Sequence, residues 1–116
     1  MFGTRKERLN EQLQREIALI LQRDIKDPDL GFVTVTRAEL SNDMSYAKVG
    51  FSCLGGEDAR DRCQQVLDRS SGYVRSLIKK RLRLRIIPQL IFRFDESIQG
   101  SIDLTRTLDR LKQPPS

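Results

Sequence analysis

Apolar or small side chains recur at Ala59, Cys63, Val66, Leu67, Ser70, Val74, Leu77, Ile78 and Leu82. Steps of four, three and one place them on one face of a helix, and the register holds across residues 59–82. Few globular helices run that long. Ser70-Ser71-Gly72 stands in the middle of the run, where glycine costs roughly 1 kcal/mol relative to alanine. The pattern therefore predicts two helices joined by a sharp kink at Ser70, Ser71 and Gly72. Serine hydroxyls there would bond backbone groups that the kink frees.

The flanking segments are shorter and follow other periods. Leu9, Leu13, Ile17, Ile20 and Leu21 line one face of a predicted helix over 5–25, which Asp27-Pro28 ends, because the residue before proline is pushed out of the α region. Residues 32–40 are rich in β-branched types and predict a strand, although their alternation is broken and leaves the buried face open. Tyr46–Cys53 alternates cleanly, with Ala47, Val49, Phe51 and Cys53 on one side. The Ser41-Asn42-Asp43 turn signal between these strands favours an antiparallel hairpin. Gln89–Phe94 predicts a third strand. Ile98, Ile102, Leu104, Leu108 and Leu111 mark a weaker last helix, led by an Asp95-Glu96 pair that suits a helix N-terminus. The fold class is thus α+β, one small domain over residues 1–112 with helices against one face of a small sheet. Residues 113–116 form a polar, proline-containing end expected to be disordered.

Charge is concentrated in one place. The chain has 21 basic and 16 acidic residues and a net charge of +5. Residues 69–93 hold 8 of the basic ones and none of the acidic ones, which leaves 13 basic against 16 acidic elsewhere. Within this stretch lies Lys79-Lys80-Arg81-Leu82-Arg83-Leu84-Arg85. Cations in the last turn of a helix are favourable with its macrodipole, which explains the sign of charge there. It does not explain the amount, since like charges repel and an ordinary solvated helix face mixes signs. The run points to an anion-binding face.

Other features exclude classes of function. Residues 1–10 are charged with no apolar stretch after them, so no secretory leader is expected, and no apolar run is long enough to span a membrane. The chain has no histidine and only two cysteines, Cys53 and Cys63. No metal site or cofactor is expected, and both thiols suit a reduced, cytoplasmic protein. Without histidine or converging carboxylates no catalytic residue is expected either.

The inferred order is similar to that of KH RNA-binding domains, which approach the nucleic-acid backbone with a Gly-x-x-Gly loop. Here no Gly-x-x-Gly joins the two predicted helices. Four stretches carry a closer resemblance. They are Lys26-Asp27-Pro28-Asp29-Leu30-Gly31-Phe32-Val33-Thr34-Val35-Thr36, the hairpin Leu40-Ser41-Asn42-Asp43-Met44-Ser45-Tyr46-Ala47-Lys48-Val49, the run Lys80–Arg85 with Pro88-Gln89-Leu90, and Phe94-Asp95-Glu96-Ser97-Ile98. In order and spacing they resemble the ribosome-binding factor A family. The hairpin follows that family's Ser-x-Asp-Leu-x-x-Ala-x-Val pattern with Met44 in place of leucine, a volume-conserving change. Ser70-Ser71-Gly72 stands where the family has Ala-x-Gly.

The resemblance implies a type II KH-like fold in which the kinked helix pair replaces the gripping loop. It implies binding to the free 30S small ribosomal subunit at its 16S ribosomal RNA. It also implies help in late maturation and 5′-end processing without catalysis, and a role in cold adaptation. On that footing Arg75, Lys79, Lys80, Arg81, Arg83 and Arg85 are the candidate RNA contacts, with Arg5, Lys6 and Arg8 as a secondary group. The expected partner is the ribosomal particle alone, met by a monomer, with no membrane and no small-molecule substrate. The residues by themselves leave open a nonspecific nucleic-acid binder, a nuclease, and an adaptor whose basic face meets an acidic protein.

Overall fold

A computed structural model describes residues 4–96. Helix α1 spans Arg5–Arg23, strand β1 Val33–Leu40, strand β2 Tyr46–Cys53, helix α2 Glu57–Arg81 and strand β3 Gln89–Phe94. The sheet runs in the order β1-β2-β3, with β1 antiparallel to β2 and β2 parallel to β3. Returning to a parallel strand requires a crossover, which α2 supplies. Both helices pack on one face of this α+β sheet. The core joins Leu13, Ile17 and Ile20 of α1, Val49 and Phe51 of β2, Val66, Leu67, Val74 and Ile78 of α2, and Phe92 of β3. The expected last helix and the polar end at 113–116 lie outside the described residues.

The division at Ser70-Ser71-Gly72 is a correction: α2 is one uninterrupted helix from Glu57 to Arg81. Its stripe of Cys63, Val66, Leu67, Val74 and Ile78 is buried on both sides of Gly72. Burying side chains of that size contributes about 1.5–3 kcal/mol each, more than one glycine costs. The Ser71 hydroxyl donates to the Asp68 carbonyl at 2.9 Å, within the helix rather than across a break. Gly72 is exposed, and a Cβ there would meet nothing within 4 Å. Neither close packing nor a turn requires glycine at this position.

The broken alternation of β1 has a physical cause. The pairing register slips between Val35 and Arg37, a β-bulge that lets Val35, Ala38 and Leu40 all face the core. The displaced Thr36 hydroxyl donates to Asp95 Oδ2 at 2.6 Å, and Arg37 Nε lies 3.4 Å from the same oxygen. A side chain on Gly50 would stand 2.7 Å from the Thr36 hydroxyl, so this clasp needs glycine on β2. Asp95, expected only as helix-terminal charge, is buried and ties the end of β3 to the bulge. Cys63 donates to the Leu30 carbonyl at 3.0 Å. Burial, with Cys53 beside it, pushes its thiol up to about 11, as suits a packing residue.

Candidate nucleic-acid interface

Helix α2 ends where the basic run begins to leave it. Leu82 takes an extended conformation with ψ 137° and donates the last helical hydrogen bond, to Ile78 at 2.8 Å. Its side chain is buried, which pins the chain as it turns into the segment 83–88. Leu84 packs partly against the core and Pro88 is fully buried. The alternation Arg83-Leu84-Arg85 therefore sends leucine inward and both arginines outward, although the segment forms no strand.

The eight cations of residues 69–93 divide by what they touch. Arg69 pairs with Asp27 at 3.0 Å. Arg75 donates from Nη2 to the Ile87 carbonyl at 2.8 Å and from Nε to that of Pro88 at 3.2 Å, holding the segment against α2. Arg81 turns toward α1, 3.0 Å from Asp24 and 3.8 Å from Glu16. Arg93 donates to the Phe92 carbonyl at 3.1 Å. Lys79, Lys80, Arg83 and Arg85 are exposed and have no ion-pair or hydrogen-bond partner among the described residues. Of the six residues expected to meet RNA, two thus serve the fold and four are unspent.

The secondary group also separates. Arg5, in the first turn of α1, shares a depression with Arg83 and Arg85. Lys6 instead donates to Asn42 Oδ1 at 3.0 Å, bracing the hairpin turn, and Arg8 is exposed on α1. The hairpin turn completes the neighbourhood. Asp43 accepts from the Ser45 amide and from the hydroxyls of Ser45 and Ser41 at 2.8–3.0 Å. These bonds, the amide foremost, hold its carboxyl down to about 2. Met44 then takes a left-handed φ of 63° and lines the same depression as Arg5 and Arg83. The Gln89 amide donates to the Ser45 carbonyl at 3.0 Å, locking the segment to the hairpin.

Such a surface can bind polyanions by charge and shape. Among the described residues no cluster of histidine, cysteine, aspartate or glutamate could hold a metal ion, and no helix is long and apolar enough to cross a membrane. Sequence reasoning located the run and named Arg5, Lys6 and Arg8 beside it, but could not see that Arg5 alone of these three shares the depression with Arg83 and Arg85, nor that Arg75 and Arg81 turn inward. No signal short of the tertiary contacts carries that information.

The profile of a family described as ribosome-binding factor A matches residues 5–108. A protein of that description from Natranaerobius thermophilus is 43% identical over 111 residues, covering 96% of this chain and 85% of the relative. The fold matches the crystal structure of ribosome-binding factor A from Thermus thermophilus with a TM-score of 0.70 and 29% identity, covering 79% of this chain and 96% of that one. A further match is a homology model of the Thermus thermophilus factor fitted into the cryo-electron microscopy map of its complex with the 30S subunit. Its TM-score is 0.64 at 28% identity, covering 77% of this chain and 93% of that one.

Proposed function

This chain belongs to the ribosome-binding factor A family, and on that premise we propose that it binds the free 30S subunit at its 16S ribosomal RNA and assists late maturation. The observation that carries this reading is the set of four unspent cations, Lys79, Lys80, Arg83 and Arg85, at one end of α2 and in the segment after it. Among the described residues no acidic side chain pairs with them, which favours a polyanionic partner. These four cations meet phosphates and the shape of the RNA rather than extensive base stacks, because the sequence has no tryptophan and most of its aromatic residues lie in the strands. The chain acts in the cytoplasm as a monomer and without catalysis. It favours one arrangement of the RNA by binding that arrangement better, which serves processing of the 16S 5′ end and growth in the cold, where RNA rearranges slowly.

Co-sedimentation with separated subunits tests the reading. The purified chain is expected to pellet with 30S particles and to stay in the supernatant with large subunits. Equal pelleting with both would reduce it to a nonspecific cation.

A further inference from the structure

The depression beside the unspent cations has a composition that phosphate binding alone does not call for. It is about 270 Å³ in volume. Arg5, Arg83 and Arg85 line it together with the apolar side chains of Leu9, Met44, Leu84 and Ile86. No acidic side chain lines it among the described residues. Leu9 and Leu84 rest on the core, whereas Ile86 is 49% exposed, a large apolar side chain left in water beside two arginines.

The walls are held in place before any ligand arrives. Arg75 grips the carbonyls of Ile87 and Pro88, Gln89 ties the segment to the hairpin, and the Asp43 bonds fix the turn that presents Met44. A preformed site loses less entropy on binding. A phosphate gains nothing from an aliphatic lining. The matching ligand has an apolar planar face and negative charge on both sides of it, which is the chemistry of an unstacked nucleotide. Its base would lie against the aliphatic side chains and guanidinium planes that line the depression, and its flanking phosphates would meet the arginines.

We propose that this depression receives one unpaired nucleotide of RNA, a bulged or single-stranded residue, next to the phosphate contacts of Lys79 and Lys80. The inference rests on the RNA-binding reading above and adds what kind of RNA feature is sought. It makes the surface selective for a place where a helix is interrupted, which charge alone cannot do.

The test compares two short RNA hairpins, identical except that one carries a single unpaired 2-aminopurine. Affinity is read by anisotropy, and the environment of the base by its fluorescence. The bulged hairpin should bind about tenfold more tightly, as expected for burying roughly 50–60 Å² of base surface against aliphatic side chains, with a change in 2-aminopurine emission on binding. Ile86→Ala, at a half-exposed position that folding tolerates, should bring the affinity ratio to within about twofold of one. Equal salt-sensitive binding of both hairpins with unchanged emission would overturn the proposal and leave the RNA reading standing. If neither hairpin binds while 30S pelleting is intact, the proposal is overturned too, and the depression is assigned to a protein feature of the particle. Failure of both binding and pelleting would remove the RNA reading itself.

Discussion

Between Glu57 and Asp68 the charged side chains of α2 mix their signs, with Glu57, Asp58, Asp61 and Asp68 among Arg60 and Arg62; from Arg69 to Arg81 every charged side chain is basic. The first half mixes signs within itself. Glu57 and Asp58 suit the helix N-terminus, Asp68 accepts from Gln64 at 2.9 Å, and the Arg60 guanidinium lies 5.0 Å from the centre of the Phe94 ring. Gln64 bridges to the Phe92 carbonyl at 2.8 Å. The second half is balanced only in part. Arg69 and Arg81 find acids on neighbouring segments and Arg75 finds carbonyls, while Lys79 and Lys80 find nothing among the described residues. One helix thus carries a face that serves folding and an end at which two cations have no partner among the described residues. Positive charge by itself is a poor guide to function; charge left over after tertiary partners are counted is a better one.

Removing the leftover charge should have the largest effect. Replacing Lys79, Lys80, Arg83 and Arg85 together with glutamine should lower 30S affinity on the order of a hundredfold at moderate salt. The midpoint of thermal unfolding should hardly move, since surface changes away from specific contacts cost little. The partnered cations should behave in the reverse way. Arg75→Ala leaves the Ile87 and Pro88 carbonyls without their donor and should cost about 1–2 kcal/mol in denaturant unfolding. Arg81→Gln, at a partly exposed pair, should cost up to about 1 kcal/mol. Each should weaken 30S binding far less than the fourfold replacement does. If Arg81→Gln instead costs affinity and no stability, the division between used and unused charge is wrong at that residue.

Gly72 offers the smallest effect. Because nothing surrounds it and α2 is continuous, Gly72→Ala should stabilise the chain by about 0.5–1 kcal/mol with binding retained. A loss of binding with the stability gain intact would move the interface toward the middle of α2.

What the sequence made legible follows from the range of the forces involved. Strand β2 was predicted over its observed bounds, Tyr46–Cys53, because strict alternation is a local property. Strand β1 left its buried face open because the bulge at Thr36 depends on Asp95, 59 residues away. The continuity of α2 was missed because local cost argued for a break at Gly72, while the burial that outweighs it comes from β3 and α1. At the interface the run itself was plain in the sequence. The sorting within it was not, because Arg81 meets Asp24 across 57 residues, and Arg5 reaches Arg83 only through the fold.

In the proposed function the unspent cations are the RNA contact. The most direct measurement is the salt dependence of 30S binding for the parent chain and for the fourfold glutamine variant. Each neutralised phosphate contributes a nearly fixed increment to the slope of log affinity against log salt, so the variant's slope should be shallower by roughly 3. An unchanged slope, with both chains folded, would contradict the account and place the ribosomal contact on another face.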